Sequence, residues 1–205
     1  MRSVSLFSGG KDSFLSAMIA LEQGYEIEYG ITIIPEEYSM MFHYPNAENS
    51  RHAASLLGIK IKYIREEEFE DYLGSLENLA LVTGAIASDY QKTRIEKNCY
   101  KNNVIVYSPL WRLDQEMVIN ELLLRNIRAM IVSVSAEGFT QNDLGKEINN
   151  EYLPHLKDLH KKYGINIAGE GGEYESFVFG LSNKTVLPER KHMVWRNSGG
   201  YLIFE

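Results

Sequence analysis

Ser8-Gly9-Gly10-Lys11-Asp12-Ser13 decides how the rest of this chain is read. The stretch follows a short strand-like run at 3–7 and opens a helix-like run at 11–23 that Gly24 ends. Glycines at such a junction let the backbone turn tightly and aim several N–H groups at one point. The start of the helix adds partial positive charge there. With the hydroxyls of Ser8 and Ser13 and the ammonium of Lys11, the segment reads as an anion cradle. Its spacing is too short for the G-x-x-x-x-G-K-S/T loop of mononucleotide kinases, and it is not G-x-G-x-x-G. A glycine-rich turn with no ligand is the competing reading. Six matching positions between a strand and a helix argue against it.

Outward from the loop, strand and helix patterns alternate. Strands are expected at 27–34, 59–64, 79–83 and 104–107, and helices at 46–57 and 88–100. Phe69, Tyr72, Leu73 and Leu76 share one further helical face. Such alternation predicts an α/β fold, a doubly wound parallel five-stranded sheet with helices on both faces. Ligands of such sheets sit beyond the carboxyl ends of the strands. The pattern then changes. Asp114 can cap a helix carrying Met117, Val118, Leu122 and Leu123, and 129–134 reads as one more strand. A helix over 150–163 ends at Gly164, short β pieces follow at 177–179 and 185–187, and a hairpin is expected to turn at Gly199-Gly200. The expected division is 1–110 for the sheet domain and 111–205 for a smaller α+β domain that completes the substrate cleft.

Composition narrows the function classes. The 205 residues carry 21 basic and 28 acidic side chains, a formal charge of −7. That balance argues against nucleic acid as a partner. The single cysteine, Cys99, excludes an internal disulfide framework and a zinc site built on cysteine pairs, and a cytoplasmic, reducing setting is expected. Cys99 reads as a buried small hydrophobe. His155 and His160 lack metal-ligand spacing. No run approaches the ~20 apolar residues of a membrane span, and the first residues do not resemble a signal peptide.

Three further motifs accompany the loop. Met40-Met41-Phe42-His43-Tyr44-Pro45-Asn46 lies past the second strand. Thr83-Gly84-Ala85-Ile86-Ala87-Ser88-Asp89-Tyr90-Gln91, with Arg94 and Glu96, lies past the fourth. Gly169-Glu170-Gly171-Gly172-Glu173-Tyr174-Glu175 belongs to the second half. Taken alone, the aromatic and methionine cluster reads as a packed hydrophobic loop, the acidic glycine turn as solvated, and Ser88 and Asp89 as helix caps. Capping leaves Arg94 unexplained, since it lies a turn further in. A face-to-face pair with Glu96 is excluded at i, i+2.

The loop resembles the S-G-G-x-D-S pyrophosphate loop of the N-type ATP pyrophosphatases, of the adenine-nucleotide alpha-hydrolase-like fold. The four motifs in this order, with Ser108-Pro109-Leu110-Trp111, are similar to the diphthine–ammonia ligase family in its short, archaeal-type form. The resemblance runs from Ser8 to about Val178. It implies an ATP-dependent ligase that adenylates the carboxylate of diphthine on elongation factor 2, releases pyrophosphate, and lets ammonium-derived ammonia displace AMP to form diphthamide. ATP and Mg²⁺ are the implied cofactors. No membrane is expected, and a homodimer is among the partner expectations.

On this reading Lys11, Arg94 and Glu173 are the catalytic candidates. Ser8, Gly9, Gly10, Lys11, Asp12, Ser13, Gly84, Asp89 and Gln91 hold the nucleotide, with Asp12 or Asp89 on the metal. Phe42, His43, Asn46, Tyr90, Trp111, Glu170, Gly171, Gly172 and Glu175 line the acceptor side. Carboxylates beside a phosphate cradle would repel ATP, so the three glutamates are expected to meet a cation, and one to take a proton from ammonium. The alternatives are an ATP pyrophosphatase acting on another carboxylate or a tRNA base, and a non-enzymatic ATP-binding module.

Overall fold

The computed structural model describes residues 1–35 and 46–205, apart from the side chains of Gln91 and Lys101. The chain divides into two compact units, Met1–Arg112 and Leu113–Glu205. In the first, β1 (Arg2–Leu6), α1 (Lys11–Glu22), β2 (Glu26–Ile34), α2 (Ser50–Ser55) and β3 (Ile61–Arg65) are followed by α3 (Phe69–Ser75), β4 (Ala80–Val82), α4 (Asp89–Cys99) and β5 (Ile105–Tyr107). The five strands form the expected parallel sheet in the order β3-β2-β1-β4-β5.

Gly30 to Ile33 of β2 are all buried, as expected for a strand covered on both faces. Val4, Ile31, Ile33 and Leu81 from the strands meet Phe69, Leu73, Ile95 and Cys99 from α3 and α4 in one core cluster. The order reverses between β1 and β4. The chain winds from β1 outward to β3, then restarts at β4 on the other side of β1, which places helices on both faces when crossovers are right-handed. That reversal is the switch point where open α/β sheets bind ligands.

In the second unit α5 (Gln115–Leu124) begins at the expected cap. Asp114 Oδ1 accepts from the backbone N–H of Glu116 at 2.8 Å and of Met117 at 3.3 Å. Then come β6 (Ile127–Val134), α6 (Leu153–Tyr163), β7 (Tyr174–Leu181), β8 (Lys184–Thr185), β9 (Lys191–Arg196) and β10 (Gly199–Phe204). They make an antiparallel sheet in the order β8-β7-β6-β10-β9. Met130, Val132, Phe177, Phe179, Leu202 and Phe204 form a core cluster of this unit.

Some boundaries differ from expectation. The helix expected from 46 begins as a 3-10 turn, Ala47–Asn49, before α2. The hairpin turns at Asn197 and Ser198, with Asn197 at φ +53°, and Gly199-Gly200 are the first residues of β10. Asparagine tolerates that left-handed conformation, so it takes the turn. Gly200 lies under the Trp195 ring, where a Cβ would stand 2.6 Å from an indole carbon. Among the described residues no helix is long and apolar enough to cross a membrane.

Candidate active site

The loop after β1 is locked by its own hydroxyls. Gly9 takes φ +84°, and Gly10 is extended at φ −76°, ψ 163° just before α1. Ser13 Oγ donates to the Gly10 carbonyl at 3.0 Å and accepts from the Ser8 N–H at 3.2 Å. The Ser8 hydroxyl accepts from the Gly10 N–H at 3.3 Å and lies 3.1 Å from Ser13 Oγ. Both serines therefore shape the turn. The first turn of α1 carries no side-chain cap. Uncapped amides at a helix start suit a phosphate.

Lys11 is buried, its side chain 4% exposed, and its ammonium reaches both Asp12 carboxylate oxygens at 2.8 and 3.0 Å. Gly84, in the loop after β4, presses on this turn. A Cβ there would stand 2.8 Å from Ser13 N and 2.9 Å from the Asp12 carbonyl carbon. Thr83 Oγ1 is 2.9 Å from Ser108 Oγ and so ties the loops after β4 and β5 together.

Other candidates have defined partners. Asp89 at the start of α4 is held by Arg112, whose Nη2 lies 3.0 Å from each carboxylate oxygen. Tyr90 is 66% exposed. Arg94 turns toward α3, donating from Nε to Glu70 at 2.8 Å, with its guanidinium 5.6 Å from the centre of the Phe69 ring. Trp111 has Lys92 Nζ 5.2 Å and the Arg112 guanidinium 4.9 Å from its ring centre. Asn46 begins the 3-10 turn, its carbonyl accepting from Asn49 N–H at 3.0 Å. Phe42 and His43 lie outside the described residues, as does the Gln91 side chain. Cys99 is fully buried, and burial, then the nearby Glu96, pushes its thiol up to about 11, which suits a core residue.

The acidic glycine turn lies in the second unit and is closed by hydrogen bonds. Glu173 Oε1 accepts from the Asn166 N–H at 2.7 Å, and the Glu173 carbonyl accepts from Ser135 N–H at 3.0 Å. The carboxylate folds over Gly171, where a Cβ would meet it at 2.7 Å. Ser135 Oγ donates to the Gly172 carbonyl at 2.6 Å, and Tyr174 Oη to the Ile167 carbonyl at 2.7 Å. Glu173 Oε2 is buried and has no hydrogen-bond partner among the described residues. Glu170 precedes this knot, and Glu175 enters β7 opposite Ser133.

Among the described residues no three His, Cys, Asp or Glu side chains come together to hold a metal ion. Asp12 beside uncapped amides is still a fitting oxygen donor for Mg²⁺ carried on phosphates, because Mg²⁺ keeps several waters and needs one or two carboxylates.

Arg112 is the feature that sequence reasoning missed. It directly follows Trp111 in a motif already singled out, but neither its φ of +60° nor its hold on Asp89 is written in local sequence.

Comparison with known proteins then adds four findings. Residues 1–105 match the model of the diphthamide synthase N-terminal domain, and 114–204 that of the C-terminal domain. A Mus musculus protein named diphthine--ammonia ligase is 31% identical over 98% of this chain and 88% of its own length. A Schizosaccharomyces pombe protein of the same name is 29% identical over 97% of this chain, which spans 38% of that relative's length. A crystal structure from Methanocaldococcus jannaschii, titled a predicted subunit of tRNA methyltransferase, superposes with TM-score 0.50 at 20% identity. It covers 91% of this chain and 100% of that one, a likeness of fold alone.

Proposed function

Because this chain belongs to the diphthamide synthase family, we propose that it is an ATP-dependent ligase that forms a C–N bond between ammonia and the carboxylate of diphthine. The observation that carries the reading is the uncapped first turn of α1 at the switch point, with buried Lys11 beside it. Amides and an ammonium placed there bind and orient a triphosphate and stabilise charge as it builds on the leaving pyrophosphate. The carboxylate oxygen of the acceptor attacks the α-phosphorus, pyrophosphate leaves, and an acyl-adenylate results. Ammonia then adds to the acyl carbon, and AMP departs with the bonding pair.

Ser8, Gly9, Gly10, Asp12, Ser13 and Gly84 form the nucleotide seat, with Asp89 and Gln91 at its α4 side. Mg²⁺, when bound, would neutralise charge between phosphates, and Asp12 is the residue best suited to hold it. Arg94, whose Nε donates to Glu70, is a further cation for the phosphates. Glu173, which has a spare buried oxygen, takes the proton from incoming ammonium, and Glu170, Gly171, Gly172 and Glu175 shape that turn. Phe42, His43, Asn46, Tyr90 and Trp111 contact the acceptor. The acceptor is elongation factor 2, and the reaction runs in the cytoplasm.

The test is incubation with ATP, ammonium and diphthine-bearing elongation factor 2. AMP should form only with the acceptor present, and the acceptor's mass should change by conversion of a carboxylate to an amide. Release of ADP, or AMP formation independent of the acceptor, would refute the reading.

A further inference from the structure

Arg112 is held in an unusual way for a surface residue. Its φ is +60°, in the left-handed region that long L side chains rarely occupy. Three contacts of its own hold it there. Its N–H donates to the Ile86 carbonyl at 2.7 Å. Its Nη2 sits 3.0 Å from both Asp89 oxygens. Its guanidinium lies 4.9 Å from the Trp111 ring centre, a distance suited to cation–π contact.

The ion pair alone does not account for this arrangement. The Arg112 and Asp89 side chains are 58% and 75% exposed, and a pair that open to water adds little stability. A strained backbone that supports so weak a contact points to a placed functional group. Only Nη2 is engaged on Asp89. Nε and Nη1 have no partner among the described residues, so donors of the planar fork stay open to a second oxyanion.

The position identifies that oxyanion. Arg112 lies in the loop after β5 and is bonded to the loop after β4 at Ile86. Two residues earlier in the latter loop, Gly84 packs on the first turn of α1. Both loops leave carboxyl ends of strands, on the β4 side of the switch point. We propose that Arg112 binds the pyrophosphoryl end of the nucleotide, with Asp89 holding the guanidinium in place and Trp111 backing it. This rests on the ATP-dependent reading above and gives the phosphates a cation besides Lys11.

The test measures binding of ATP, AMP and inorganic pyrophosphate to the full chain by titration calorimetry. Arg112→Asn suits the backbone, because asparagine accepts a left-handed φ; Arg112→Lys keeps the charge but loses the fork. Arg112→Asn should weaken ATP and pyrophosphate by about tenfold or more, the usual cost of losing a charged hydrogen bond, and AMP by less than about twofold. Arg112→Lys should recover part of the loss. A purely structural role would lower all three ligands together, and that outcome overturns the proposal. So does unchanged ATP affinity, including the case in which only the acceptor's KM rises, because the arginine would then serve the carboxylate. Wild-type protein that binds neither ATP nor pyrophosphate refutes the ATP-dependent reading as well, which separates the two failures.

Discussion

A Cβ placed on Gly84 would stand 2.8 Å from the amide nitrogen of Ser13, inside the first turn of α1. The loop after β4 therefore touches the glycine turn before α1 backbone to backbone, and no side chain fits between them. The atoms a Cβ would meet are helix backbone, not the end of a flexible side chain, and Ser13 Oγ is further tied to Gly10 and Ser8. Gly84→Ala should therefore destabilise the first unit by ~1–3 kcal/mol, the usual range for overpacking, and weaken ATP binding in parallel. Thermal melting and calorimetric titration with ATP check this; an alanine variant with wild-type values for both would show that the two loops separate easily.

Lys11 is buried and paired to Asp12. Lys11→Met keeps the volume and removes the charge. On the order of 10²-fold of the AMP-forming rate should be lost, as when one charge-stabilising donor is removed from other active sites. The rate of AMP formation under saturating acceptor reads it, and a rate within twofold of wild type would remove Lys11 from the chemistry.

The two carboxylate oxygens of Glu173 have different surroundings. Oε1 holds the Asn166 amide, while Oε2 is buried without a partner among the described residues. Glu173→Gln preserves an acceptor for Asn166 but cannot take a proton. Amide formation should fall while ATP affinity stays near wild type. Glu173→Ala should in addition lower the melting temperature, because the Asn166 amide loses its acceptor. Equal turnover in the glutamine variant would confine the residue to closing the turn.

Asp143 gives the second unit an acid-sensitive anchor. Burial alone would raise its carboxyl. Hydrogen bonds from Tyr152 Oη and from the Thr140 amide and hydroxyl, with His155 Nε2 3.1 Å away, hold it below the ordinary aspartate value instead. A carboxyl depressed by folding contributes stability above its unfolded pKa of ~3.9, and that contribution is lost as pH falls through the folded value. Urea unfolding of wild type and Asp143→Asn should differ most near neutral pH and converge below about pH 4. Tyr152→Phe should remove roughly 1–3 kcal/mol by taking one donor from the buried carboxylate.

Local sequence carried much of this. The glycines at the β1–α1 junction, the alternation of strand and helix, Asp114 as a cap, and the acidic glycine turn each depend on neighbours within a few residues. The hairpin turns two residues before the Gly199-Gly200 pair that local sequence marks as the turn. Gly200 instead serves the Trp195 ring across the strand pair, a contact no local pattern reports.

The amino-acid order by itself determined the parallel sheet, the glycine turn on its first crossover and the family to which the chain belongs, since propensity, hydrophobic period and motif spacing are all written in the chain. Tertiary structure alone decided which charges face which. Arg94 reaches back 24 residues to Glu70, and Arg112 reaches 23 residues to Asp89. Both pairings follow from helices and loops brought together by crossovers, and a side chain's partner at that range is set by packing geometry, which adjacent residues do not encode.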